Sequence, residues 1–219
     1  MAEGLTNPTI VRDADLERAI AALYDARLPY HNFEHALANL ETCQKLIDHC
    51  IQVGRDVDAT TIYLATLLHD AGFQDDEQAL GQPSKEAWAA ELAERLLRNF
   101  NVPEATIQAV RQAILATACG QPCPTLEASI VKAADLAGLA ADYPIFVRNA
   151  HRLWREQMLL TGQSITWDQW RQRALSVLDL YIEDLAACAA RLPAPALANA
   201  AITARANCDR LREEPAPTA

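Results

Sequence analysis

Residues 58–73 read Asp58-Ala59-Thr60-Thr61-Ile62-Tyr63-Leu64-Ala65-Thr66-Leu67-Leu68-His69-Asp70-Ala71-Gly72-Phe73. Ile62, Leu64, Leu67 and Leu68 give the stretch its apolar character and predict a helix from about Asp58 to Ala71. Gly72 closes it, because glycine adopts the left-handed conformation that commonly ends helices. The helix runs into His69 and Asp70. Burying an imidazole and a carboxylate side by side is costly unless each has a partner, so this junction is where chemistry is expected.

Outward from this stretch, apolar residues recur at three- and four-residue spacing almost everywhere, and only seven glycines and eleven prolines interrupt them. The spacing predicts an all-α chain. A first helix runs from about Asp13, its N-cap, to Ala26, with Leu16, Ile20 and Leu23 on one face. Others run from about Asn32 to Val53, Ser84 to Asn99, Pro103 to Ala118, Thr125 to Ala141 and Asp142 to Leu160. Thr166, with Gln169 three residues on, forms a capping box that opens a helix to about Arg191. A last, Ala-rich helix covers about Pro195 to Arg212. The expected organisation is one helical domain over residues 1–212 with an extra C-terminal helix, and a frayed, disordered tail over 213–219.

Composition limits the function classes. The chain has 219 residues, 51% hydrophobic and 22% charged, which is ordinary globular usage. Its formal net charge of −10 argues against coating a nucleic-acid polymer, which demands a basic face. No apolar run is long enough to span a bilayer, and the polar stretch from Met1 to Asp15 does not resemble an export signal, so no membrane partner is expected. Six cysteines without such a signal read as reduced thiols of a cytoplasmic protein. Cys119 and Cys123 alone do not make a structural zinc site.

Histidine is scarce, five in all, which makes placement informative. His31 and His35 stand four apart in Tyr30-His31-Asn32-Phe33-Glu34-His35-Ala36, so if Asn32 opens a helix the two rings lie near one face. His69 and Asp70 end the apolar helix described above. Asp135 is a lone carboxylate in the apolar Ile130–Leu139 stretch, where a helical pair with Lys132 is the plain alternative to a functional role. Histidine nitrogens and carboxylate oxygens are ordinary ligands of divalent cations. Taken singly, His69 could as well complement the helix dipole and His35 be a surface or satisfied core residue.

The ordered pattern of a histidine, an adjacent His-Asp pair and a distant aspartate, all on helices, resembles the HD-domain superfamily of metal-dependent phosphohydrolases. The resemblance covers about Leu28 to Tyr181. Tyr30-His31-Asn32-x-x-His35-Ala36 is similar to the matching stretch of cyclic-nucleotide phosphodiesterases and of small bacterial HD phosphohydrolases. Ala134-Asp135-Leu136-Ala137-Gly138-Leu139 and Asp142-Tyr143-Pro144 resemble the latter group. The resemblance implies an HD-type helical bundle in which His35, His69, Asp70 and Asp135 hold one divalent ion. Manganese, magnesium, iron, cobalt, nickel and zinc are all candidates. It further implies that Asp70 takes part in catalysis and that His31 protonates the leaving oxygen.

The chain departs from the bimetallic members, which place further histidines between the His-Asp pair and the last aspartate; none occurs from Ala71 to Ala134. A single metal, or one tight and one weak site, is expected, and a di-iron oxygenase is disfavoured. Glu86 matches a glutamate of the smaller relatives that could orient water, with a solvated helix face the alternative. Lys132, Arg148 and Arg152, with Arg155, are candidate contacts for a substrate phosphate; the last three share a helix face that could equally be a solvated basic stripe. His49 and His151 carry no motif and are expected at the surface, whereas Trp154, Trp167, Trp170 and Tyr181 are expected in the core. The resulting expectation is a metal-dependent hydrolase of a small, nucleotide-like phosphate ester. The alternative is an HD-type module that binds a nucleotide or other ligand without turnover. Ala-rich helices after Thr166 could pair between subunits as a homodimer.

Overall fold

A computed structural model describes residues 10–192 and 194–217. Its elements are α1 (Ala14–Ala21), α2 (Phe33–Gln52), α3 (Ala59–Leu68), α4 (Lys85–Asn99), α5 (Glu104–Leu115), α6 (Leu126–Leu136), α7 (Tyr143–Thr161), α8 (Trp167–Arg191) and α9 (Ala200–Leu211), with 3-10 turns at Ala137–Ala140 and Pro195–Leu197. No strand occurs among the described residues, and the fold is an all-α bundle. No described helix is long and apolar enough to cross a membrane.

The centre of the bundle is α3, which packs against α1, α2, α4, α5 and α6. A helix apolar on every side has no solvent face to offer, and every residue from Thr61 to Leu68 is buried. Each leucine or isoleucine so buried contributes about 1.5–3 kcal/mol. Two of the three threonines of α3 enter the core with partners. Thr61 Oγ1 donates to Asp58 Oδ2 at 2.7 Å, and Thr66 Oγ1 lies 3.2 Å from Cys43 Sγ. Around this axis α6 packs on α2, α3, α5 and α8, and α9 closes over α8. One cluster of buried side chains runs from Leu16 to Leu211 and takes in the last helix.

Most helix starts follow the capping residues. Asp13, Asn32, Asp58, Ser84 and Thr125 each accept from backbone N–H groups of the first turn, and Thr166 with Gln169 completes the capping box. Several ends differ from expectation for tertiary reasons. Helix α1 stops at Ala21 rather than Ala26, because the Leu23 carbonyl accepts from Gly72 N–H at 3.0 Å and Tyr24 Oη donates to Leu67 O at 2.8 Å. Those bonds pull the chain out of the helix and onto the end of α3. Helix α6 gives way to a 3-10 turn after Leu136, where Asn207 of α9 donates to the carbonyls of Leu139 and Ala141. Helix α9 begins at Ala200, not near Pro195, which sits in a 3-10 turn.

The tail is tied down more than composition suggests. Tyr143 Oη donates to Glu214 Oε2 at 2.5 Å, and Trp167 Nε1 and Arg171 donate to the Glu214 carbonyl. Residues 1–9 of the polar N-terminal stretch and 218–219 of the tail lie outside the described residues. His49 and His151 are half-buried rather than at the surface, and His151 packs edge-on against Trp167 at 4.6 Å between ring centroids. An aromatic neighbour compensates the ring apolar-side, which composition alone does not reveal. Trp167 and Trp170 are buried and stacked, as expected for core residues.

Candidate metal centre

Three helix ends meet at one point. His35 is the third residue of α2, its N–H capped by Asn32 Oδ1, which leaves His31 just outside the helix. His69 and Asp70 follow the last residue of α3, in the turn that Gly72 completes at φ 72°. Asp135 is in the last turn of α6. One ligand atom from each of His35, His69, Asp70 and Asp135 lies within 4.8 Å of the other three. His69 Nε2 is 3.1 Å from Asp70 Oδ2 and 3.3 Å from Asp135 Oδ1. His35 Nε2 is 3.2 Å from Asp135 Oδ1 and 3.8 Å from Asp70 Oδ2. Atoms bound at about 2.1 Å to a common ion stand roughly 3.0–3.4 Å apart when adjacent, and three of these four separations fall in that range.

Hydrogen bonding fits the same use. Thr66 O is an acceptor only, so its 2.8 Å contact fixes the proton of His69 on Nδ1 and turns the Nε2 lone pair toward the cluster. His69 Nε2 and Asp70 Oδ2 are both buried and have no hydrogen-bond partner, a costly arrangement for a purely structural pair. A cation at the shared point satisfies both. The four side chains are graded in exposure, from 1% for His69 and 12% for His35 to 15% for Asp70 and 25% for Asp135, so the cluster is open on the Asp135 side. Four protein ligands leave coordination positions for water or another molecule on that side.

The charges are mutually dependent. Burial disfavours the imidazolium of His69, but Asp70 and then Asp135 outweigh it and hold His69 well above its ordinary value. Burial disfavours both carboxylates, yet His69 and neighbouring histidines hold Asp70 and Asp135 below theirs. Two carboxylates facing one buried point require positive charge there, and a divalent cation supplies it without protonating the ligand nitrogens.

Beside the cluster stands a residue that sequence reasoning missed. Glu156 of α7, 2% exposed, accepts from the backbone N–H groups of Tyr30 at 2.9 Å and His31 at 2.8 Å, and its other oxygen engages His31 Nδ1. Its signal in the sequence was a carboxylate in the buried stripe Phe146, Ala150, Leu153, where an apolar residue belongs. The His31 ring stacks on Phe73 with centroids 3.7 Å apart. Burial alone would lower His31, but the charge of Asp70 and the Glu156 hydrogen bond raise it.

The expected substrate contacts fare differently. Lys132 is 1% exposed; Nζ meets Asp184 Oδ2 at 2.8 Å and donates to the carbonyls of Ala118 at 2.9 Å and Gln121 at 2.8 Å. Its three protons are taken, so it is a structural cation, neither a phosphate contact nor a helical partner of Asp135. Arg148 and Arg152 are exposed on α7, and the charge of Arg152 reaches Tyr30 beside the cluster. Arg155 acts on His151 instead. Glu86 is half-buried on α4, and its charge reaches Tyr181, as does that of Asp135. The phenol of Tyr181 is pushed up to about 12, by burial first and then by Cys119, Glu86 and Asp135.

Fold and site together define an all-α protein with a two-histidine, two-aspartate cluster of metal-binding geometry. No protein-family model matches the chain, and no curated protein matches it.

Proposed function

We propose that this chain is an HD-type, metal-dependent phosphohydrolase acting on a small phosphate ester, nucleotide-like if the sequence resemblance extends to substrate. The observation that carries the reading is the convergence of His69 Nε2 and Asp70 Oδ2, buried without hydrogen-bond partners, with His35 and Asp135 at ligand spacing. When bound there, a divalent cation supplies Lewis-acid polarisation of a phosphoryl oxygen and lowers the pKa of water. The residues supply the rest. His35, His69, Asp70 and Asp135 set the position of the charge, with Thr66 O fixing the tautomer of His69. His31 is the general acid: Glu156 holds the proton on Nδ1, leaving Nε2 to give a proton to the departing oxygen. The Glu156 carboxylate favours the protonated ring through that contact. Arg152, exposed and near Tyr30, is the cation offered to the phosphate.

The test is the initial hydrolysis rate of an aryl phosphodiester and of the matching monoester with added manganese, for wild type beside Asp70→Ala. Metal-dependent turnover lost in the variant supports the reading, and the preferred ester selects between phosphodiesterase and phosphomonoesterase. Stoichiometric metal and nucleotide binding without release of the aryl alcohol would replace it with a ligand-binding module.

A further inference from the structure

Next to Lys132 of α6, the loop of residues 120–124 is held against α8. Asp184 Oδ2 accepts from Gly120 N–H at 2.8 Å and pairs with Lys132, while Arg191 donates to the carbonyls of Cys123 and Pro124. One helical turn beyond Asp184 on the same face, Cys188 places its Sγ 3.9 Å from Cys123 Sγ. The two thiols come from positions 65 residues apart and are free. Cys123 is half-buried, within reach of a small oxidant, whereas Cys188 is 2% exposed.

We propose that Cys123 and Cys188 are a redox modification site, closed to a disulfide by a hydroperoxide. A disulfide needs the sulfurs at about 2.05 Å, so they must approach by roughly 2 Å, a side-chain rotation or small loop shift. The chemistry divides between an attacking and a resolving thiol. Donation by the Cys188 thiol holds Cys123 down to about 7 against the burial that opposes it, with Lys132 adding to the effect. The Cys123 thiolate attacks the peroxide O–O bond, giving the sulfenic acid and an alkoxide or hydroxide that takes up a proton. The Cys188 sulfur then attacks the sulfenic sulfur, the S–O bond breaks, and the hydroxyl leaves as water with the Cys188 proton. Two thiols are oxidised and one peroxide is reduced. The bond ties the loop to α8 beside the Lys132–Asp184 pair, one turn from Asp135 on α6.

The experiment is treatment of the full chain with hydrogen peroxide, then alkylation in denaturant and peptide mapping. Six alkylatable thiols should fall to four, the six less the two joined, with Cys123 and Cys188 in one linked peptide and all six restored by dithiothreitol. The melting midpoint should rise on oxidation, because the bond closes a long loop in the unfolded chain. Cys188→Ser, which keeps a hydrogen-bond donor beside Cys123 but no resolving thiol, should stop at a Cys123 sulfenic acid, trapped by dimedone. If that variant does not fold, Cys123→Ser serves, and should keep its remaining thiols free under the same treatment. A Cys119–Cys123 link, six thiols surviving in the wild type, or loss of thiols in Cys123→Ser equal to wild type would each overturn the proposal.

Discussion

Lys132 and Asp135 stand one turn apart on α6 and do not pair: Lys132 reaches Asp184 of α8 at 2.8 Å, and Asp135 reaches His35 of α2 at 3.2 Å. The separation divides the helix between two tasks. Lys132 holds a loop in place, and Asp135 contributes to the cluster.

Removing Lys132 should therefore act on stability. In Lys132→Met, the Asp184 carboxylate and the carbonyls of Ala118 and Gln121 lose their partner, and breaking such a buried pair costs about 3–5 kcal/mol. Urea denaturation should show a loss of that size. A variant of wild-type stability with weakened phosphate affinity would return Lys132 to the substrate site.

His31 and Asp70 should separate by measurement. Asp70→Ala removes a ligand and is expected to abolish retention of manganese through gel filtration. His31→Ala should keep the metal and lose turnover by roughly 100- to 10,000-fold, the range of general acid catalysis. Equal metal loss in the two variants would contradict the role given to His31.

Glu156 predicts a pH dependence in the chelator-treated protein. His31 is raised above its ordinary 6.5 on folding, after burial is outweighed by Asp70 and Glu156. A group whose folded value is raised contributes stability that is fully present below the unfolded value and is lost as pH rises through the folded one. The stability gap between wild type and Glu156→Gln should thus be widest below pH 6.5 and narrow on the alkaline side. Thermal melts across that interval check it, and a gap that widens with pH would reverse the assignment.

Gly72 is the hinge of the His69–Asp70 turn. At φ 72°, a Cβ there would meet Leu92 Cδ1 at 2.5 Å and Trp88 Nε1 at 2.6 Å. Gly72→Ala should cost about 1–3 kcal/mol from backbone strain and contact together. Since the same turn carries Asp70, weaker manganese binding should accompany the loss, measured by titration; unchanged stability would show that the turn relaxes freely.

The all-α fold was legible because capping residues and apolar spacing agreed along most of the chain, as at Asn32, Ser84 and Thr166. The four residues of the cluster were legible together only through the resemblance of their ordered pattern to HD-domain proteins; the residues alone marked His69-Asp70, where an apolar helix ends, and Asp135, which interrupts an apolar run. What stayed hidden depended on distant partners. The early end of α1 follows from bonds between Leu23 and Gly72, and Glu156 acts on His31 across 125 residues. Lys132 looked like an available cation because nothing local shows that Asp184 occupies it.

The central claim is tested most directly by elemental analysis of protein loaded with manganese and freed of excess, for wild type, His35→Ala and Asp135→Ala. One equivalent per chain in the wild type, with little or none in either variant, is the predicted result. Equal retention in all three folded proteins would contradict a shared centre of His35, His69, Asp70 and Asp135.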